Sequence, residues 1–446
     1  MDSLETRVPE AARVPAAEGL RFLEAEEVRR VAERFGTPCF VYDEATMLRR
    51  AAWFRALPTA FGTTVRYSIK ANPNAAVLRL FDRAGLAFDA SSEWEARRAI
   101  RAGVDPSKIL LTAQEAGPGV DALIGEGLRF DAGSLEQLDR YGRAHPGTAV
   151  SVRINPGFGS GLVRRLTAGG AESSFGIWHA DLDRVRALCQ RHGLRVERLH
   201  VHIGSGHDPD VLLRTVDAVL AFAELFPDAD TLDLGGGYRV RGRSDEPEPD
   251  TSAMARRVAD RLGDHADRTG RRFHLEMEPG TALVANAGSL VARVIDIVST
   301  GPEGHRFVKL DTGLSEIMRP SYYGTPHPLV AVPAADRPAD RPADREADPE
   351  PVMVAGHCCI AGDVLTVRPG DVETLEAHPL APVDIGDLVV VERAGGYCAS
   401  MAVKNFNSYP ESAEVLRRAD GRLQVIRVRQ SLDQIVANER MPADLG

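Results

Sequence analysis

Lys70 is a residue whose position suits covalent chemistry. It closes the run V-R-Y-S-I-K (65–70), and the turn-forming A-N-P-N follows at once. A lysine at the end of a strand is ordinarily a solvated cap. An amine that forms an imine with a carbonyl compound needs the same position, held by a rigid strand beside a turn. Burial there disfavours the ammonium ion, so a lowered pKa is expected for Lys70.

Three successive glycines, Gly235, Gly236 and Gly237, follow the predicted strand L-D-L. Glycine lets a ligand approach the backbone closely, and successive N–H groups that point one way bind anions. A plain tight turn is the alternative. Neither a G-x-G-x-x-G nor a P-loop pattern is present, so a single phosphate is a better match than a dinucleotide.

The segment H-V-H-I-G-S-G (200–206) has two interpretations. His202 could stack on a planar cofactor, with Gly204 and Ser205 as phosphate donors. Alternatively, His200 and His202 share a face of a strand, and the H-C-C triplet at 357–359 could complete a metal site. The carboxylates lack ligand spacing, and zinc would leave the lysine at position 70 unexplained, so no metal is predicted.

Two acidic residues, Glu276 and Glu278, stand in L-E-M-E-P-G-T, and one of them is expected to face the interior of the fold. A buried carboxylate is costly unless a cation or a proton pairs with it. A protonated pyridine nitrogen would be such a partner, and an arginine or lysine salt bridge is the alternative.

The elements that must position these groups alternate from strand to helix over residues 36–300. Seven or eight such units predict an α/β fold with a closed (β/α)8 barrel, because parallel strands need crossover connections. In this fold, functional groups gather at the C-terminal ends of the strands. Lys70, Asp89, Arg153, the histidine segment and the glutamate segment all lie at predicted strand ends.

The pattern changes after residue 300. Residues 301–446 contain alternating or β-rich runs joined by turns, which predict a mostly antiparallel β domain. A helix within residues 1–35 is expected to pack on this domain. Residues 334–351 carry A-D-R-P repeats, a charged and proline-rich composition that predicts a disordered loop.

Composition narrows the class of protein. The chain has 446 residues, 43% hydrophobic and 26% charged, as in a globular protein. Its net charge of −10 argues against nucleic-acid binding. No apolar run reaches the roughly 20 residues of a membrane span. The acidic N-terminus does not resemble a signal peptide, and five cysteines form no secreted disulfide framework, so a cytoplasmic enzyme is expected.

An ordered set of motifs resembles the fold-type III pyridoxal-phosphate decarboxylases, which include the diaminopimelate, ornithine and arginine decarboxylases. The resemblance spans about residues 36–410 and includes, in order, Y-S-I-K-A-N-P-N, H-I-G-S-G, L-G-G-G, E-P-G, R-P-x-x-Y-Y-G, C-x-x-G-D and G-G-Y-x-x-S-M. It implies an alanine-racemase-like barrel, a C-terminal β domain, and a homodimer with shared active sites.

The resemblance also implies roles for individual residues. Lys70 would form an imine with pyridoxal 5'-phosphate, His202 would stack on its ring, and Glu278 would pair with the ring nitrogen. The remaining cofactor-binding positions implied are Asp89, Arg153, Ser205, Gly235, Gly236, Gly237 and Tyr397.

The implied substrate contacts come from the second domain. Cys359 of the partner subunit would protonate the carbanion, next to Ile360. Arg319 and Tyr323 match positions that hold the far end of the substrate in diaminopimelate decarboxylases, and Asp311 is close in sequence.

An acid facing the pyridine nitrogen favours decarboxylation, because the protonated ring withdraws the electrons left by carbon dioxide. A racemase of this fold typically has an arginine there. A protein that binds the cofactor without catalysis is less favoured, because Lys70, Cys359 and the second domain are all present.

Three departures concern the substrate. The family's E-P-G-R has Thr281 in place of arginine, Ile360 replaces the acid that receives a distal amine, and S-K-F-G reads S-S-F-G (173–176). An unpaired buried ammonium would cost several kcal/mol. A siderophore- or antibiotic-type conjugate, free or carrier-bound, is therefore predicted as the substrate, with diaminopimelate, decarboxylated to L-lysine, as the alternative.

Overall fold

The computed structural model describes residues 18–206, 208–334 and 348–445. Residues 1–17 of the predicted N-terminal segment and residues 335–347 of the predicted loop lie outside these ranges. The strand Glu350–Ala355 begins inside the predicted loop and shortens it. None of the helices in the described ranges has both the length and the apolar run that a bilayer crossing needs.

Within the described chain, eight parallel strands close a barrel, because each pairs with its neighbour and the ring is complete. The predicted (β/α)8 barrel is confirmed. A two-residue strand, Ile177–Trp178, adds to one edge. The barrel strands are Thr63–Ser68, Ala87–Ala90, Ile109–Leu111, Arg129–Ala132, Ala149–Asn155, Arg195–His200, Thr231–Asp233 and His274–Met277.

A helix follows each barrel strand along the chain, as right-handed crossovers require. Several helices begin at a side chain that accepts a backbone N–H of the first turn, which stabilises the helix start; these are Asn74, Ser92, Ser134, Asp208 and Asp250. The barrel helices are Ala75–Arg83, Glu93–Arg101, Val120–Gly125, Leu135–Ala144, Leu182–His192, Pro209–Ala223, Thr251–Thr269 and Thr281–Val284.

The second domain is built on a nine-stranded, mostly antiparallel sheet of the described residues. Its strands are Cys39–Asp43, Gly288–Ser299, Arg306–Leu310, Leu329–Val332, Glu350–Ala355, His378–Leu380, Leu388–Val391, Ala413–Arg417 and Leu423–Arg427. Val367–Arg368 and Asp371–Leu375 form a separate hairpin. The other α-helices are Ala25–Phe35, Glu44–Arg55, Arg319–Tyr323 and Leu432–Ile435.

The boundary between the two units differs from the predicted 36–300 and 301–446. Strand Cys39–Asp43 pairs with Gly288–Ser299 on one side and with Ala413–Arg417 on the other, so it belongs to the second sheet. Helix Ala25–Phe35 packs on this sheet through Val28 and Val31. A fully buried strand has the same apolar sequence in either sheet, so the alternating pattern could not reveal its partners.

Candidate active site

A cavity of about 580 Å³ opens at the C-terminal ends of the barrel strands. Lys70, His202 and Glu278 line it from the barrel, and Arg319 and Tyr397 line it from the second domain. Both units therefore shape one site. The C-terminal ends are where this barrel presents functional side chains, because the following loops converge there.

Lys70 lies in the turn Ile69–Ala71, directly after strand Thr63–Ser68. Its Nζ is 3.2 Å from Asp89 Oδ2 and 3.0 Å from Ser91 Oγ. Burial is the largest single influence and would lower the pKa of Lys70, but the charges of Asp89, Tyr397 and Glu278 together outweigh burial and raise the pKa above its ordinary value. The expected fall in pKa is therefore wrong, because the next strand places an acid beside the amine.

Glu278 is buried just beyond strand His274–Met277, and its carboxylate faces the cavity. Its Oε1 has no hydrogen-bond partner among the described residues. Burial, together with the charges of Asp233 and Asp89, raises the pKa of Glu278 well above the ordinary value. A buried carboxylate in this state needs a proton or a cation opposite it.

Glu276 occupies the barrel interior below the cavity and is not part of it. Its carboxylate accepts Arg66 Nε at 2.6 Å and Arg198 Nε at 2.9 Å. The expectation that one of Glu276 and Glu278 faces the interior is wrong. Residues two apart share a face of a strand, and both side chains point inward. Glu276 therefore makes the arginine salt bridges that were one interpretation of the pair. Glu278 remains the candidate for the other, a partner for a protonated pyridine nitrogen.

His200 is the main functional residue that sequence reasoning missed. Its Nδ1 is 2.8 Å from Asp131 Oδ2, and its Nε2 is 3.6 Å from Glu278 Oε2. Burial opposes protonation, but Glu278, Asp131 and Asp233 together raise the pKa of His200 to about 9. The only signal in the sequence was the shared face of His200 and His202. This buried histidine therefore adjoins the carboxylate of the cavity.

The metal interpretation of the sequence combined His200 and His202 with the H-C-C triplet at 357–359. His357 stacks on Tyr409 and lies 2.6 Å from Ser315 Oγ, so the H-C-C triplet does not join the histidine segment. His200, Asp233 and Glu278 do lie within 4.8 Å of one another.

The glycine turn is shaped around His202. Gly235 has φ +68° and donates its N–H to Asp233 Oδ1, and the N–H of Gly236 donates to His202 Nδ1 at 3.2 Å. A Cβ on Gly235 would come within 2.6 Å of the His202 side chain. Gly236 and Gly237 line the cavity, whereas Gly235 lies behind them. Gly235 therefore sets the shape of the turn, and the other two glycines form the part of it that lines the cavity.

The wall beside the turn carries Ser205 and Tyr397. Tyr397 has φ +56°, and its N–H donates to the Ala71 carbonyl at 2.8 Å, which ties the second domain to the Lys70 turn. The Tyr397 hydroxyl lies 3.0 Å from the position of a Cβ on Gly280, so a larger residue there would have to displace the hydroxyl.

Arg153 lines the opposite wall, with its guanidinium 4.8 Å above the Phe175 ring. Its Nη2 is buried without a hydrogen-bond partner in the described chain. Burial lowers the pKa of Arg153, and Asp131 and Glu278 oppose the change. Asp89 supports Lys70 from behind and is not itself part of the wall.

The far end of the cavity is cationic. Arg319 is buried at the start of helix Arg319–Tyr323 and donates to the Gly396 carbonyl at 3.4 Å. Tyr323 lines the same end, as does Thr281, which begins the short helix Thr281–Val284.

Three predicted residues lie elsewhere. Cys359 and Ile360 are exposed at a turn of the second domain, where the Cys359 N–H donates to Asn407 Oδ1 at 2.8 Å. Asp311 accepts the Arg293 N–H at 2.7 Å and Thr37 Oγ1 at 2.5 Å, so it serves the second sheet.

The cavity fits the cofactor that the resemblance implies. Pyridoxal phosphate has an aldehyde, a basic ring nitrogen and a phosphate. Lys70 supplies an amine, the unpartnered Glu278 Oε1 suits a protonated ring nitrogen, and the Ser205 and glycine walls suit a phosphate.

The barrel sequence matches the pyridoxal-binding domain of the pyridoxal-dependent decarboxylases over residues 45–285. The chain is 36% identical to diaminopimelate decarboxylase of Streptomyces coelicolor, covering 97% of this chain and 96% of the relative. It is 33% identical to the Escherichia coli K12 enzyme of that name, covering 94% and 97%. A crystal structure of a diaminopimelate decarboxylase superposes with a TM-score of 0.84 at 33% identity, covering 93% and 96%.

Proposed function

Because this chain belongs to the pyridoxal-dependent decarboxylase family and uses pyridoxal phosphate as a carboxy-lyase, we propose that it is a diaminopimelate decarboxylase. It would release one carboxylate of diaminopimelate as carbon dioxide and leave lysine. Support comes from relatives of that name that match nearly the full length of both chains.

The prediction of a siderophore- or antibiotic-type conjugate is wrong. Relatives that cover more than nine-tenths of this chain at 33–36% identity are named diaminopimelate decarboxylase. The prediction rested on three local departures, at Thr281, at Ile360 and in the segment S-S-F-G (173–176). Arg319 and Tyr323 resemble the positions that hold the far end of the substrate in diaminopimelate decarboxylases.

Pyridoxal phosphate, when bound, supplies an electron sink for the pair left by carbon dioxide. Glu278 would hold a proton at the ring nitrogen, because the raised pKa of this carboxyl favours sharing one. Its neighbour His200, paired with Asp131, fixes the Glu278 carboxylate from below.

The other walls orient the cofactor. Lys70 provides the amine that binds it covalently, and Asp89 holds that amine in place until a proton leaves Nζ. His202 is fixed by the Gly236 N–H and can cover one ring face. Ser205 and Tyr397, with the glycine turn, would bind the phosphate and exclude water from that end.

We also propose a homodimer. Cys359 and Ile360 are exposed and outside the cavity of their own chain, which suits residues that enter the site of a partner. Cys359 of the partner subunit would then deliver a proton to the substrate α-carbon as a general acid.

The observation that carries the substrate assignment is Arg319. This guanidinium is buried in the part of the cavity wall that the second domain supplies, and among the described residues no carboxylate lies within 4 Å of it. A second carboxylate on the substrate would supply the missing anion. Diaminopimelate has one, whereas a decarboxylase substrate with only a distal amine does not.

The test is carbon dioxide release from diaminopimelate, ornithine, arginine and lysine, with lysine formation followed by chromatography. Efficient turnover of diaminopimelate alone supports the proposal. Lys70→Ala protein is the control for cofactor-independent release. Comparable turnover of ornithine or arginine would contradict the assignment.

A further inference from the structure

A second arginine, Arg393, lines the same cavity as Arg319. It follows the buried strand Leu388–Val391 and is only 9% exposed. Its backbone has φ +63°, in the left-handed region that a non-glycine residue adopts at a cost of about 1 kcal/mol or more. The chain therefore holds this side chain in place against a backbone preference.

The Arg393 guanidinium has no ion-pair partner in the described parts of the chain, and its Nε is buried without a hydrogen bond. Glu246 is the acid that most raises the pKa of Arg393. Its Oε2 and Arg393 Nη1 lie 2.9 Å and 2.7 Å from the same Cβ position on Gly242, but its carboxylate accepts the Gly242 N–H at 2.7 Å and forms no ion pair with Arg393. A buried cation without a counter-ion is costly.

The charge of Arg319 acts on Arg393. Burial, and then the charge of Arg319, lowers the pKa of Arg393 to about 10. Burial and both arginines keep the neighbouring His327 neutral by lowering its pKa. Two buried guanidinium groups that line one cavity, next to a neutral histidine, suit an anion.

We propose that Arg393 and Arg319 together bind the distal carboxylate of the substrate. Arg393 supplies the guanidinium that Thr281 cannot, since Thr281 stands where the related enzymes have arginine. The inference rests on the proposed function for the identity of the substrate. The class of ligand, an amino acid with an anionic far end, does not depend on the proposed function.

The physical basis is a charge-assisted hydrogen bond to a buried guanidinium. Guanidinium presents a planar fork that matches a carboxylate, and such bonds to charged groups contribute more than neutral ones. Removing one fork should weaken carboxylate binding by about 10- to 100-fold.

Two ligands separate this contact from the rest of the site. L-Lysine keeps the carboxylate that decarboxylation of diaminopimelate leaves behind, and cadaverine is the same diamine without it. Dissociation constants for both are measured by calorimetry on the cofactor-loaded protein, for wild type, Arg393→Gln and Arg393→Met. We expect the preference for lysine over cadaverine to fall about 10- to 100-fold in both variants.

Arg165→Gln is the matched control. Arg165 lines the same cavity, but it is exposed and donates to the Tyr322 carbonyl at 2.8 Å. Its removal takes away the same charge and should change the preference by less than about threefold. An equal loss in this control would mean a general charge effect and would overturn the inference.

Other outcomes are equally decisive. Wild-type protein without a preference for lysine, or Arg393 variants that keep it, would overturn the inference. Cofactor absorbance and thermal melting establish that a variant is folded, and Arg393→Met preserves the side-chain length if Arg393→Gln does not fold. If wild type fails to decarboxylate diaminopimelate but the Arg393 variants still lose the preference, the proposed function fails and the carboxylate site stands.

Discussion

Replacing Glu276 by glutamine tests the charged interior of the barrel. The Glu276 carboxylate is 2% exposed and binds Arg66 and Arg198 through four contacts of 2.6 to 3.2 Å. Glutamine keeps the volume and removes the charge. Two buried guanidinium groups would then face each other without an anion between them.

The magnitude follows from the pKa of Glu276. Burial alone would raise this pKa, but the hydrogen bonds and charges of Arg66 and Arg198 lower it from 4.5 to about 2. At 1.36 kcal/mol per pKa unit, this shift corresponds to about 3 kcal/mol of stabilisation. Breaking one partner of a buried ion pair costs about 3–5 kcal/mol, which agrees.

The assay is urea unfolding of the cofactor-loaded protein, followed by circular dichroism. We expect Glu276→Gln to lower the free energy of unfolding by about 3 kcal/mol at neutral pH. The folded pKa is depressed, so the contribution of the carboxylate is complete above pH 4.5 and is lost as the pH falls toward 2. The difference between wild type and variant should therefore be constant at neutral pH and narrow below pH 4.5.

Glu197→Gln is the control, because Glu197 lies 3.8 Å from the same Arg198 but is 43% exposed. Its removal should cost less than about 1 kcal/mol. If Glu276→Gln is no more destabilising than Glu197→Gln, the interior carboxylate does not hold the two arginines, and the reasoning is refuted.

Three further predictions address the site. Lys70→Ala should give a colourless protein without a borohydride-reducible cofactor, since Nζ is the amine that forms the imine; a reducible, coloured variant would refute the role of Lys70. Gly235→Ala should weaken cofactor binding and lower the melting temperature, because its Cβ would lie 2.6 Å from His202 at φ +68°; Gly263→Ala, with open space around it, should not destabilise. His200 has a raised folded pKa of about 9, so its contribution to stability is complete below pH 6.5 and disappears as the pH rises through 9. Melting temperatures of wild type should therefore fall over that range more steeply than those of His200→Asn, and parallel curves would contradict the cluster.

The sequence was sufficient to predict the barrel and the order of the residues around its mouth. Lys70, Arg153, His202 and Glu278 each end a predicted strand, and parallel strands in a closed barrel bring their C-terminal ends together. These strand ends meet whatever their separation along the chain, so a short motif at each strand end was informative.

Cross-barrel pairing was not predictable in the same way. His200, Asp131 and Asp233 are single polar residues on separate strands, and nothing local indicates that they meet. The pKa of Lys70 was misjudged for this reason, because burial was visible in the strand pattern whereas the neighbouring acid, Asp89, required the pairing of two strands.

The substrate was misjudged because local changes were taken alone. Thr281 differs from the family's arginine, and that difference predicted a different ligand. Arg393 lies far away in sequence, in the loop after a strand of the other domain, yet it lines the same cavity as Thr281. A sequence motif shows which residue has been replaced. It does not show which residue, distant in sequence, lines the same cavity.

Strand Cys39–Asp43 has a consequence for how this chain is made. It lies between Gly288–Ser299 and Ala413–Arg417, so the barrel is in effect an insertion within the other domain. During synthesis the barrel strands all emerge before Ala413–Arg417. One edge of Cys39–Asp43 therefore stays unpaired until Ala413–Arg417 has been made. Truncation after the barrel would remove both partner strands and leave both edges of Cys39–Asp43 open to other chains. A circular permutant that joins the two ends and begins at the barrel would make each domain continuous, and it should fold with fewer exposed edges.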